Sequence, residues 1–110
     1  QQMDPTTNNM PLVEASLSTA PVRTDPDDPA IWIHPNQSEL SLLIVTDKVA
    51  RTGGIFVFDL NGRILQHIEN LDRPNNVDLE YGFQFNRTLS LDVVVVTERA
   101  QKRVRIYGIN

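Results

Sequence analysis

Apolar residues recur at every second position through most of the chain beyond residue 29, the period of a β-strand. Ala30–His34 is a short apolar run and Leu42–Asp47 a β-branched one. Gly54–Leu60 sets Ile55 and Val57 against Phe56 and Phe58, so both faces of that strand are apolar. Asn61-Gly62 is the strongest hairpin signal in the chain. It leads into Arg63–Glu69, with Ile64, Gln66 and Ile68 on one face. Val77–Phe83 alternates less cleanly. Leu91–Thr97 contains four consecutive valines, Val93 to Val96, the mark of a strand buried on both faces. Val104–Ile109 closes the series. No stretch has the 3.6-residue period of an amphipathic helix, so the expected fold class is all-β.

The strands repeat. Val45-Thr46-Asp47-Lys48 corresponds to Val96-Thr97-Glu98-Arg99, and Ile55–Asn61 corresponds to Val104–Asn110. The period is about 50 residues, as in radially repeated four-stranded sheets. The pattern therefore predicts about two antiparallel propeller-type blades over residues 23–110, the second lacking its fourth strand. Residues 1–11 are polar and read as a flexible tail. Residues 12–22 have strand character and are expected to be available for completing a sheet. A blade without its outer strand presents unpaired N–H and C=O groups that invite another chain. The predicted segment is thus part of a larger propeller, or a unit that assembles with copies of itself through open sheet edges.

Composition narrows the function. Apolar residues are 40% and charged residues 22% of the chain, which suits a folded domain. A net charge of -4 argues against nucleic acid as partner, because phosphate backbones are bound by basic surfaces. There is no cysteine, hence no disulfide and no thiolate metal site. No apolar run approaches the ~20 residues that span a bilayer. The chain starts at Gln1 rather than Met, which suggests a processed or trimmed product and leaves room for a removed export signal. Asn36-Gln37-Ser38 and Asn86-Arg87-Thr88 are glycosylation sequons in expected loops.

Candidate chemistry gathers at three places. Asp25, Asp27 and Asp28 form an acidic cluster between prolines; on its residues alone it reads as a solvated turn before a strand. Lys48 and Arg99 end equivalent strands, where two cations could grip an oxyanion. On its residues alone, Pro74-Asn75-Asn76 makes Asn75 a turn residue. His34 and His67 stand alone and receive no metal or base role.

Asp27-Asp28-Pro29-Ala30-Ile31-Trp32 followed by Arg73-Pro74-Asn75-Asn76-Val77-Asp78 resembles the opening of the six-bladed β-propeller phytases, which are calcium-dependent phosphomonoesterases. The resemblance covers roughly residues 19–110. It implies that Asp28, with the carbonyls of Pro29 and Val77, holds Ca²⁺. It also implies that Lys48, Asn75 and Arg99 contact a phosphate ester such as phytate, and that the protein is extracellular or periplasmic. Thr19-Ala20-Pro21-Val22 lacks a Glu that this family places there as a calcium ligand. Other catalytic calcium ligands of the family lie in later blades. No catalytic residue is therefore assigned, and the 110 residues alone are expected to be inactive. The competing expectation is a small extracellular structural subunit that self-assembles by strand exchange into a ring or filament, without catalysis.

Overall fold

A computed structural model describes residues 11–110. Most of the expected tail, residues 1–10, lies outside the described residues. The fold is all-β, in two antiparallel sheets. The first contains β1 (Pro26–Trp32), β2 (Leu42–Asp47), β3 (Gly53–Phe58) and β4 (Ile64–Leu71), ordered β1-β2-β3-β4. The second contains β5 (Pro74–Gln84), β6 (Ser90–Glu98) and β7 (Arg103–Ile109), ordered β5-β6-β7. Two single-turn 3₁₀ segments, Ser38–Leu40 and Arg99–Gln101, sit in connections. Among the described residues the second sheet has no fourth strand, so β7 is an open edge.

The sheets pack through the alternating positions that the pattern marked as apolar. Trp32, Ile44, Ile55 and Leu71 of the first sheet meet Val77, Val94 and Val96 of the second in one buried cluster. Full burial of such side chains contributes ~1.5–3 kcal/mol each. Polar ties cross the same interface. Trp32 Nε1 donates to Asp92 Oδ2 at 2.7 Å, and the Ile33 amide donates to the Tyr81 hydroxyl at 3.0 Å.

The Asn61-Gly62 hairpin forms, joining β3 to β4. Its turn runs from Asp59, whose carbonyl accepts the Gly62 amide, and Gly62 takes a left-handed φ of 82°. The Asp59 carboxylate holds the amides of Asn61 and Arg63.

Two elements differ from expectation. β1 begins at Pro26, four residues ahead of the apolar run at Ala30, because the ladder carries a bulge between Pro26 and Pro29. Residues 12–22 pair with no strand. A backbone bond ties them to the β3–β4 turn, from the Ala20 amide to the Gly62 carbonyl at 2.8 Å. That bond sets the end of the segment beside the turn into β4, the outer strand of the first sheet, without a ladder forming; strand propensity alone does not make a strand.

Candidate cation and phosphate site

Two β-bulges build the site. Pro26 pairs with Asp47 and the register then slips before Pro29; Pro74 pairs with Glu98 and slips before Val77. Asp27-Asp28 and Asn75-Asn76 are therefore equivalent pairs in equivalent bulges. A threonine on the neighbouring strand secures each one. The Asp28 amide donates to Thr46 Oγ1 at 3.1 Å, and the Asn76 amide donates to Thr97 Oγ1 at 3.0 Å.

The first bulge is also joined to the second. Thr46, fully buried, donates its hydroxyl to the Asn75 carbonyl at 3.0 Å. The Asp28 carboxylate accepts the Val77 amide on Oδ2 at 2.8 Å. Of the expected metal residues, Asp28 meets Val77 through the Val77 amide, and Pro29 follows Asp28 at the end of the same bulge.

Each blade anchors its rim with a buried acid. Asp47 accepts the amides of Asp25 and Thr24 at 2.8 and 3.2 Å, and the next amide, Lys48, donates to the Asp25 carbonyl. Glu98 accepts the Asp72 amide at 2.8 Å, and the next amide, Arg99, donates to the Arg73 carbonyl. The device is the same in both blades. Asp47 and Glu98 are each 1% exposed. Burial alone would raise the Glu98 carboxyl. Hydrogen bonds from Arg103, the Asp72 amide and Arg105 outweigh it and hold the group at about 2.

The expected phosphate residues occupy different environments. Lys48 pairs with Asp27 at 3.2 Å, which makes it part of the acidic side of the rim. Arg99 opens the 3₁₀ turn and lines a shallow depression of about 300 Å³ with Asn75, Thr97, Lys102 and Arg103. Among the described residues Arg99 has no ion-pair partner. Asn36 and Asn86 lie in exposed connections. Asn86 Oδ1 accepts the amides of Thr88 and Leu89 at 2.9 Å, forming the β5–β6 turn.

Hard oxygen donors from one carboxylate and two carbonyls suit Ca²⁺, which takes 6–8 oxygens. Asp28 Oδ2 is committed to Val77, while Oδ1 has no hydrogen bond among the described residues. Among the described residues no group of three or more His, Cys, Asp or Glu side chains gathers to complete a calcium shell.

Thr46, Thr97, Asp47, Glu98 and Asp72 were not singled out as functional residues by sequence reasoning. The aligned triplets Thr46-Asp47-Lys48 and Thr97-Glu98-Arg99 held the signal for four of them, since an acid and a threonine recur at the same strand end.

A family model described as Phytase matches residues 6–110. Among curated proteins, the 3-phytase of Bacillus subtilis (strain 168) is 36% identical over 102 residues, an alignment covering 84% of this chain and 25% of that protein. The chain spans about a quarter of the length of that relative.

Proposed function

The chain belongs to the phytase family, and on that premise we propose that it is a segment of a β-propeller phosphomonoesterase that binds Ca²⁺ and a phosphate ester such as phytate. The observation that carries this reading is the stitching of the two bulges. Thr46 and Asp28 of the first blade each bond to the second, at Asn75 and Val77. Cation-ligating oxygens and phosphate-binding donors then share one rigid rim.

Bound Ca²⁺ would neutralise charge on a phosphate and polarise its oxygens. Asp28, Pro29 and Val77 would hold it. Arg99 presents a planar fork for an oxyanion and Asn75 an amide donor. Lys48 is released to the ligand only when Asp27 is drawn away, as by a cation. Turnover needs several metal-binding carboxylates, so the 110-residue chain binds without hydrolysing. Secretion to an extracellular or periplasmic setting belongs to the same reading.

Calcium titration calorimetry on the chain and its Asp28→Asn variant tests the proposal, together with a phosphate-release assay on phytate with and without chelator. Calcium binding that is lost in Asp28→Asn, with no phosphate release, supports it. Equal binding by both proteins overturns the calcium assignment.

A second reading has its own support. The open edge of β7 and the unpaired residues 12–22, with Leu12 and Leu17 exposed, suit self-assembly by strand exchange. Sedimentation velocity across a concentration series decides it: a single monomer species at all concentrations rules it out.

A further inference from the structure

The open edge of β7 offers backbone groups that no strand among the described residues takes up. Its side chains stand in two rows, as in any strand. Arg103, Arg105, Tyr107 and Ile109 form the inward row, and Val104 and Ile106 the outward one.

The inward row is only half neutralised. Arg103 and Arg105 both donate through Nε to Glu98 Oε1, at 2.7 and 2.9 Å. Two guanidinium groups thus meet at one carboxylate, and one positive charge is left over. Among the described residues neither arginine has another ion-pair partner, and both side chains keep solvent exposure, at 53% and 36%. Farther along the same row, Tyr107 and Ile109 line a cavity of about 350 Å³ with Val57, Gln66 and Ile68 of the first sheet. A strand laid on β7 would therefore meet a cationic stretch and then a mostly apolar recess on its inward side. On its outward side it would meet two exposed aliphatic residues.

Residues 12–16 carry the complementary order. Leu12, Glu14 and Ser16 alternate with Val13 and Ala15. All five are exposed, and Glu14 has no ion-pair partner among the described residues. We infer that residues 12–16 of a second copy of this chain pair antiparallel with β7, with Glu14 facing Arg105. Leu12 then lies beside Tyr107 at the recess, and Ser16 beside Arg103. Val13 covers Ile106, and Ala15 covers Val104. The carboxylate of Glu14 supplies the second negative charge that the two guanidinium groups lack.

The register is specified. A slip of one residue moves Glu14 onto the aliphatic row and Val13 onto the arginines. A slip of two in one direction sinks Glu14 into the recess, where a carboxylate is costly. The same slip in the other direction sets Leu12 against Arg105 and leaves the recess empty. The donor is a second copy because the segment's own end is held on the first sheet. There the Ala20 amide bonds to Gly62 and Arg23 pairs with Glu69, while residues 12–16 join no strand of their own chain. The inference rests on the self-assembly reading above and gives it a donor strand, an acceptor edge and a register.

The test uses the absence of native cysteine. Facing residues of an antiparallel pair have Cα atoms ~4.5–5.5 Å apart, within disulfide reach. Two single-cysteine variants of the 110-residue chain, Val13→Cys and Ile106→Cys, are mixed and oxidised, and the products are identified by mass. Val13→Cys with Val104→Cys is the out-of-register control. Separate single-cysteine proteins report only links between chains. In parallel, sedimentation velocity compares wild type with Glu14→Lys, a change in an exposed segment that joins no strand. The expected result is that the 13–106 mixed disulfide forms at least tenfold faster than the 13–104 one. Glu14→Lys weakens self-association at least tenfold, and added salt weakens that of wild type. Equal rates for the two disulfides, or association undiminished in Glu14→Lys, overturn this pairing and leave self-assembly to another surface. A wild type that stays monomeric at every concentration overturns both.

Discussion

At the scale of single residues, the rim depends on carboxylates that face inward. Glu98 is the clearest. Its carboxyl sits at about 2 in the fold against an ordinary value of 4.5. A depressed folded value means the contribution to stability is complete above about 4.5 and is lost as pH falls toward about 2. The expected outcome is that wild type loses stability steeply across that window and Glu98→Gln loses less. At neutral pH Glu98→Gln costs about 1–3 kcal/mol, the worth of charge-assisted hydrogen bonds. Urea melts at pH 7, 4 and 3 check both statements; parallel acid profiles for the two proteins contradict them. Thr46 is a second such residue. Its buried hydroxyl serves Asp28 and Asn75 together, so Thr46→Val leaves an amide and a carbonyl poorly satisfied. The expected cost is about 1–3 kcal/mol, with weaker calcium binding in the same calorimetric titration; unchanged calcium affinity would separate Thr46 from the site. Residue identity showed only part of this. The family motif pointed to Asp28, Pro29 and Val77, and the fold bonds the Val77 amide to the Asp28 carboxylate. The pairing of Lys48 with Asp27 was illegible, because a loop cation's partner depends on which side chains the bulge turns toward it.

At the scale of elements, the strands were legible wherever two faces are apolar or alternate cleanly, as in β2, β3 and β6. Their ends were less so. β1 and β5 both open on a proline, Pro26 and Pro74, which an edge strand tolerates because its first amide needs no ladder partner. The two bulges behind those prolines are structural repeats, yet Asp27-Asp28-Pro29 and Asn75-Asn76-Val77 share no residue. Backbone equivalence was hidden behind different side chains. Residues 12–22 have the pattern of a strand but form none here, because pairing depends on an edge that sequence alone does not locate. The elements also depend on each other through Trp32. Its indole bonds to Asp92, which accepts the Gly82 amide at 2.8 Å as well. Those two bonds, the indole first, hold the Asp92 carboxyl below its usual range. Asp92→Ala severs the tie between β1 and the β5–β6 hairpin. At about 1 kcal/mol per lost bond, and roughly 4–8 °C per kcal/mol in a domain of this size, the expected melting temperature falls by several degrees. A thermal melt followed by Trp32 fluorescence measures it, and a shift under 1 °C would mean the bond is dispensable.

At the scale of the whole molecule, the fold is two sheets sharing one core, with the outer face of β7 exposed among the described residues. Tyr107 and Ile109 pack inward against the shared cluster, while the alternate residues Val104 and Ile106 of β7 are 55% and 52% exposed. Among the described residues the same strand also leaves one edge of backbone groups unpaired. Apolar surface and an open edge on one element favour association, at ~25 cal/mol per Å² of apolar area covered. The 110-residue chain is therefore expected to associate as its concentration rises. Ile106→Lys places a charge in the middle of that face without touching the inward residues, and should shift the equilibrium to monomer with little loss of stability. Two measurements make the argument complete. Sedimentation velocity follows association, and Trp32 fluorescence, reporting the interface between the sheets, follows unfolding. Fewer oligomers with an unchanged unfolding midpoint place the association surface on β7. A variant that associates as strongly as wild type moves that surface elsewhere, and one that unfolds early shows that Ile106 supports the core from outside.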